Sequence, residues 1–157
     1  MTDKTVALDR KVPAFSLPAT GGRNWKLSDS SGRKLVVYFY PKDNTSGCTL
    51  EGQAFRDLYA KFRKAGADIV GVSPDSVVSH EKFKAKFEFP FDLLADEDKA
   101  LARAFDVWKE KSMYGRKYMG IERSTFLIDD KGVLRREWRK VKVPGHAEEV
   151  LAAVQDA

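Results

Sequence analysis

Cys48, the only cysteine in this sequence, is the residue best suited to covalent chemistry. It follows the polar run 41–47, which itself follows an apolar segment at 34–40. A thiolate is a strong nucleophile, but a free cysteine with a pKa of about 8.5 is only about 3% ionised at pH 7. A reactive Cys48 therefore requires neighbours that favour its thiolate. Without them, a lone thiol is most often a small buried apolar group.

The residues after Cys48 predict that it lies in the first turn of a long helix. Residues of one face recur every three or four positions, and Gly66 is a typical helix stop. The residues of this face are Cys48, Glu51, Phe55, Leu58, Phe62 and Ala65. Free N–H groups at a helix start, together with the positive end of the helix dipole, favour an anion such as a thiolate. If this face is buried, the Glu51 carboxylate needs a partner.

The remaining elements alternate in a way that is typical of an α/β protein with parallel strands in its core. In chain order we predict a hairpin at Gly21-Gly22, a strand at 34–40, a helix at 48–65, a strand at 67–73, a helix at 77–87, a strand at 91–95, a short helix from Asp96, a loop or irregular hairpin at 108–120, a hairpin at 130–132 and a last helix after Pro144. Residues 1–14 are predicted to be a lead-in. This order predicts a thioredoxin-like fold, with a mixed central sheet flanked by helices and an N-terminal β-hairpin extension, in a single domain, 1–157.

Composition excludes several classes of protein. The net charge is +5, but no recognised nucleic-acid-binding motif accompanies the basic residues. No apolar run approaches the length of a membrane span, and residues 1–10 lack a secretory signal, so we expect a cytoplasmic protein. One cysteine excludes an intrachain disulfide and a thiol-only metal site.

Two motifs carry a resemblance to a known family. Residues 39–51 read FYPKDNTSGCTLE, and the pattern Pro-x-x-x-Thr-x-x-Cys within them resembles the peroxidatic motif of peroxiredoxins. The longer string looks like that of the bacterioferritin-comigratory-protein, or Q-type, subfamily. Residues 123–129, RSTFLID, resemble the arginine region of that family. The resemblance spans nearly the whole chain. It implies a monomeric thiol peroxidase that reduces hydrogen peroxide and organic hydroperoxides without a metal, haem or flavin.

The resemblance implies that the Cys48 thiolate attacks the O–O bond and becomes a sulfenic acid. Arg123 is the expected source of positive charge, and Glu51 is expected to orient it. Ionisation alone raises the thiolate fraction only about thirtyfold, so positioning of the peroxide and stabilisation of charge on its oxygens must contribute more.

Four further residues have expected supporting roles. The Thr45 hydroxyl can bond the thiolate or the peroxide, Gly47 permits close approach of the backbone, Pro41 shapes the loop and excludes water, and Tyr40 lines the pocket wall. Each has an alternative role: Thr45 can be a helix cap, and Pro41 can simply end the strand. Their combined spacing favours the functional interpretation.

The sequence departs from the subfamily at the second, resolving cysteine. Gln53 and Lys84 occupy the two positions at which it commonly stands. We therefore expect reduction by an external thiol, such as thioredoxin or glutaredoxin with glutathione. A peroxide sensor that passes oxidation to a partner is the main alternative. A disulfide oxidoreductase lacks its Cys-x-x-Cys pair, and a thioredoxin-fold binding module or a cysteine hydrolase using His80 or His146 has less support.

Overall fold

The computed structural model describes residues 4–157, so the first three residues of the predicted lead-in lie outside the described part. Its elements in chain order are β1 (Ser16–Ala19), β2 (Arg23–Lys26), a 3₁₀ turn (Leu27–Ser30), β3 (Lys34–Phe39), α1 (Ser46–Lys64), β4 (Ala67–Ser73), α2 (Val77–Phe87), β5 (Asp92–Ala95), α3 (Ala100–Ala104), β6 (Trp108–Met113), β7 (Arg116–Ile121), β8 (Ser124–Ile128), β9 (Leu134–Trp138) and α4 (His146–Asp156). No helix within residues 4–157 is long and apolar enough to cross a membrane.

Seven strands form one mixed sheet in the order β2-β1-β5-β4-β3-β8-β9. Strands β3, β4 and β5 are parallel, whereas β8 and β9 continue the sheet in antiparallel fashion. The N-terminal hairpin β1–β2 joins the other edge through Ala19, which pairs with Leu94. The predicted mixed sheet with an N-terminal hairpin extension is therefore confirmed.

The central strand β3 explains why its sequence is almost continuously apolar. Side chains alternate between the two faces of a strand, and here both faces are covered. Leu35, Val37 and Phe39 belong to the core on one face. Val36 and Tyr38 belong to the core on the other face, which also contains Cys48 and parts of α1, α2 and α4. The cysteine therefore belongs to the core on the Val36 and Tyr38 face of the central strand.

Two segments are more ordered than the sequence predicted. Residues 108–121, predicted as a loop or irregular hairpin, form the regular antiparallel pair β6–β7, which makes a separate two-stranded sheet. Part of the lead-in is docked, because Val6 and Val12 are buried and Lys11 forms an isolated bridge with Val133. Both segments carry many charged residues, which obscured their apolar contacts.

Gly52 provides a test of how tightly α1 is packed one turn after Cys48. A Cβ atom at Gly52 would lie 2.5 Å from Cζ of Phe89. Alanine normally stabilises a helix interior relative to glycine, but overpacking a core costs about 1–3 kcal/mol. We expect Gly52→Ala to lower the free energy of unfolding by about that amount in urea titrations. Gly120→Ala is the control, since its nearest neighbour is the flexible Lys111 side chain at 3.3 Å. A Gly52→Ala protein as stable as the wild type would contradict this packing.

Candidate active site

Cys48 is the third residue of α1, as the spacing predicted. Thr45 is the N-cap, with extended backbone angles, and the first helical hydrogen bond runs from Thr49 N to Thr45 O at 2.9 Å. The N–H groups of Ser46, Gly47 and Cys48 therefore precede the hydrogen-bond ladder of the helix. These groups form the positive end of the helix dipole, in the same turn as Cys48. The cysteine itself is only 1% exposed.

Arg123 joins Cys48 to Glu51. Its Nη2 donates to the sulfur at 3.4 Å, and its Nη1 donates to Glu51 Oε1 at 2.6 Å. The sheet register explains how residues so distant in sequence meet. Strands β3 and β8 are antiparallel with Phe39 opposite Ser124, so Arg123 lies where β3 leads into the loop before Cys48. The predicted contact between the cysteine and the arginine, and the predicted partner for Glu51, are both present.

Burial sets the electrostatics of this trio. The Glu51 side chain is 2% exposed and that of Arg123 is 17% exposed. Burial raises the pKa of Glu51 to about 7, and the charge of and hydrogen bond from Arg123 only partly oppose this rise. Burial disfavours the charged guanidinium, but Glu51 and Cys48 outweigh it and raise the pKa of Arg123. Arg123 thus remains a cation and holds its positive charge beside the Cys48 sulfur.

Gly47 and Thr45 contact this trio differently. A Cβ at Gly47 would lie 3.2 Å from Arg123 Nη2, so glycine lets the guanidinium approach the start of the helix. The Thr45 hydroxyl donates to Lys42 O at 2.9 Å. It makes neither a side-chain cap nor a hydrogen bond to the sulfur. Pro41 is half-buried at the bend that follows β3.

The sequence suggested that Tyr40 lines the wall of a pocket. Its side chain is instead completely buried. Its hydroxyl donates to Asp43 Oδ1 at 2.6 Å, within the loop that leads to Cys48. Asp43 also bonds His80 and Ser79 of α2. Sequence reasoning missed Asp43, although it stands inside the motif that carries the resemblance. The available signal was an acidic residue in a loop beside a buried strand end.

Asp43, Asp75 and His80 are close enough to share a cation, with one ligand atom from each within 4.8 Å of the others. Most of their side-chain polar atoms are nevertheless already hydrogen-bonded to one another or to neighbouring groups. Both Asp43 oxygens accept hydrogen bonds, and His80 contacts Asp43 and Leu94 O through its two ring nitrogens. Asp75 Oδ2 accepts from Asp43 N and Ser73 Oγ. The group is a hydrogen-bond network rather than a cation site.

Neither histidine is bonded to the cysteine. His80 belongs to the Asp43 network, and His146 Nε2 lies 2.8 Å from Thr125 Oγ1. A cysteine–histidine pair is therefore absent from residues 4–157. A second cation, Lys111 of β6, was not singled out from the sequence. Its pKa is lowered by burial and by repulsion from Arg123, which places its charge near the trio.

A cysteine at a helix start, bonded to a partly buried arginine within a thioredoxin-like fold, is the arrangement that defines the class of thiol peroxidases called peroxiredoxins. Comparisons with known proteins agree. Residues 8–137 match the family model described as the AhpC/TSA family. The chain is 52% identical to Peroxiredoxin Bcp of Bacillus subtilis over 97% of both chains. It is 53% identical to Peroxiredoxin Bcp of Xanthomonas campestris over 99% of this chain and 97% of the relative.

A solved structure of Peroxiredoxin Q from Xanthomonas campestris matches with a TM-score of 0.88, at 52% identity over 99% of this chain and 98% of that one. A cysteine-to-serine variant of PrxQ from Xylella fastidiosa matches with a TM-score of 0.92, at 44% identity over 98% of both chains. The chain belongs to the AhpC/TSA family of peroxiredoxins and, within it, to the Bcp or Q-type group. It is a one-cysteine member of this group.

Glu51 should make stability depend on pH. Its pKa is about 7 in the folded protein against 4.5 as the ordinary value, so the folded state binds this proton more tightly. The resulting stabilisation is fully present below 4.5 and is lost as pH rises through about 7. We expect the unfolding free energy of Glu51→Gln to fall less over this range than that of the wild type. Urea titrations at each pH measure the difference, with the exposed Glu148→Gln as control. Parallel pH curves for Glu51→Gln and wild type would contradict the shift.

Proposed function

We propose that Cys48 is the peroxidatic nucleophile of this thiol peroxidase. Its thiolate attacks one oxygen of a hydroperoxide, so that an S–O bond forms while the O–O bond breaks. The sulfur loses two electrons and becomes a sulfenic acid, and the second oxygen leaves as water or an alcohol after taking up a proton. The hydrogen bond from Arg123 Nη2 to the sulfur at 3.4 Å is the observation that carries this proposal.

Arg123 supports the reaction in both its ground state and its transition state. During attack, negative charge moves from the sulfur to the peroxide oxygens. A guanidinium has several N–H groups in one plane, so it can contact the sulfur and the neighbouring oxygen together. Glu51 holds Nη1, which fixes the plane and leaves Nη2 directed at the reacting atoms. The free N–H groups at the start of α1 add donors that are already oriented before the peroxide arrives.

Thr45 and Gly47 complete the proposed site. The Thr45 hydroxyl proton is directed to Lys42 O, so its oxygen is available to accept a hydrogen bond from the peroxide O–H. Gly47 has no side chain, so the Arg123 guanidinium can lie close to the start of α1. Pro41 stiffens the loop and contributes no N–H that could hold water.

The reductive half of the cycle requires another molecule. Gln53 lies on α1, and Lys84 is bonded to Asp92, so neither position supplies a thiol. An external thiol, as in thioredoxin or glutaredoxin with glutathione, attacks the sulfenic sulfur, expels water and forms a mixed disulfide, which a second thiol then reduces. Serine variants of two different cysteines exist for the Xanthomonas campestris protein, whereas this chain has one. This cycle fits a reducing cytoplasm.

Organic hydroperoxides are proposed substrates alongside hydrogen peroxide. One solved structure of the Xanthomonas campestris protein is described in terms of its alkyl peroxide reduction activity. In this chain Leu50 is 59% exposed next to the Cys48 turn. An apolar side chain at that place suits an alkyl group better than it suits hydrogen peroxide.

Replacement of Arg123 should separate its charge from its geometry. We expect Arg123→Ala to lower the second-order rate of Cys48 oxidation by about 10²–10³-fold, because a donor to the developing charge is lost. Arg123→Lys keeps the charge but cannot reach Glu51 and the sulfur together, so its rate should be intermediate. Stopped-flow oxidation by peroxide measures these rates. Arg136→Ala, an exposed position, is the control. Equal rates for Arg123→Ala and wild type, or an active Cys48→Ser protein, would refute the proposed site.

Peroxide should oxidise Cys48 alone. After one equivalent of peroxide, dimedone should label Cys48, and intact mass should show one added oxygen rather than the loss of two hydrogens. Because no second thiol in the chain traps the sulfenic acid, excess peroxide should add a second oxygen and halt turnover. Mass spectrometry of the Cys48 peptide follows both steps. Sustained turnover at high peroxide, with no dioxidised Cys48, would show that the sulfenic acid is protected.

A further inference from the structure

The loop before Cys48 is held by a polar network that lies outside the cysteine–arginine trio. Its centre is the pair Asp43 and His80, whose side chains are 4% and 0% exposed. Asp43 Oδ2 lies 2.7 Å from His80 Nδ1, and Asp43 Oδ1 accepts from the Tyr40 hydroxyl. The backbone N–H of Asp43 donates to Asp75 Oδ2 at 2.8 Å. One loop residue is therefore bound to the end of β3, the turn after β4 and helix α2.

Hydrogen-bond accounting shows that this network contains an extra proton. His80 Nε2 lies 2.9 Å from Leu94 O, and a carbonyl can only accept, so Nε2 carries a hydrogen. A neutral histidine would then present a bare lone pair at Nδ1 to the Asp43 carboxylate. Two acceptors 2.7 Å apart repel each other, so a proton must lie between them. The pair is either an imidazolium with a carboxylate or a neutral histidine with a carboxylic acid.

The groups around the Asp43–His80 pair also favour a proton shared between the two side chains. The titratable groups that face the pair are Tyr38 and Tyr40 at the end of β3 and Asp75 from the turn after β4. Helix α2 contributes the Ser79 hydroxyl, and β5 contributes the Leu94 carbonyl. Within residues 4–157, no lysine or arginine side chain is hydrogen-bonded to Asp43 or His80. Loss of the proton would leave a net negative charge beside Asp75 without a hydrogen-bonded cation, because Lys86 of α2 bonds Asn44 instead.

We propose that this buried proton holds the loop of residues 41–45 against α2 through the contact between Asp43 and His80, which we call the clasp. Asp43 and His80 are thereby positioning residues for Cys48. The inference rests on the proposed role of Cys48 as nucleophile. Asp43 stands two residues before the N-cap Thr45, so the clasp fixes where α1 begins and hence where the sulfur meets Arg123. Removal of the proton opens the clasp and lets the loop move away from the arginine.

The first test compares variants at His80 by hydrogen exchange of the peptide that contains residues 41–45. His80→Leu removes both hydrogen bonds and the proton. We expect faster exchange in this loop and an oxidation rate lowered about a hundredfold, the effect of a small displacement of a reacting group. His80→Asn can still donate to Asp43 without a charge, so it should recover most of the rate at neutral pH. His146→Asn, which removes the other buried histidine, is the matched control and should leave loop exchange unchanged.

The second test uses pH. Protection of the loop against exchange, corrected for intrinsic amide rates, should fall in the wild type as pH rises, because the shared proton is lost, and should stay flat in His80→Asn. The comparison of these two proteins decides the matter even if His80→Leu does not fold. Equal pH curves for the two proteins would overturn the clasp. So would unchanged loop exchange in a folded His80→Leu protein, or an equal effect of His146→Asn.

Failure of the clasp and failure of the proposed function give different results. If wild-type Cys48 reacts slowly with peroxide, or if Cys48→Ser retains activity, the proposed function is wrong whatever His80 does. Wild-type oxidation could be fast while the His80 variants match the wild type in oxidation rate, loop hydrogen exchange and pH dependence. The assignment of Cys48 as nucleophile then holds, and only the proposed clasp is wrong.

Discussion

A partly buried guanidinium that is shared between a carboxylate and a sulfur governs the structure of this site. Removal of Arg123 from water is costly unless its charge is balanced and its N–H groups are bonded. Glu51 balances part of that charge and accepts from Nη1, which leaves Nη2 for the sulfur. Burial also disfavours the charged form of Glu51, so Glu51 only partly balances the charge of Arg123. The Cys48 sulfur supplies the remaining acceptor, so the contact that completes the bonding of the guanidinium also places its positive charge beside the proposed nucleophile.

The sheet and α1 were predictable because both leave a periodic signal in the sequence. Cys48 and Glu51 fall on one helical face, and the apolar run of β3 identifies a strand covered on both sides. The meeting of Arg123 with that face came from a family motif, and its physical cause, the β3–β8 register, is visible only in the folded sheet. The Asp43–His80 contact has no such signal. It joins a loop to a helix 37 residues away, and polar residues in loops have no period to read.

The same loop must serve opposite requirements in the two halves of the cycle. Oxidation needs the sulfur fixed against Arg123, and the bonds of Asp43 to three elements provide that rigidity. The proposed reduction needs an external thiol to reach a cysteine that is 1% exposed, so the first turn of α1 would have to move. Contacts that favour fast oxidation therefore slow reduction. With one cysteine in the chain, no intramolecular disulfide is available to hold the open form.

The separation of 75 residues between Cys48 and Arg123 has a consequence for biosynthesis. A nascent chain leaves the ribosome from its N-terminus, so β3 and α1 emerge long before β8. Until β8 pairs with β3, the cysteine has no guanidinium beside it. On the proposed role of Arg123, the only sulfhydryl group of the growing polypeptide is therefore not yet activated towards peroxide. The proposed reactivity of Cys48 therefore appears only when β8 pairs with β3 late in folding. An active enzyme is thus one whose central sheet is complete.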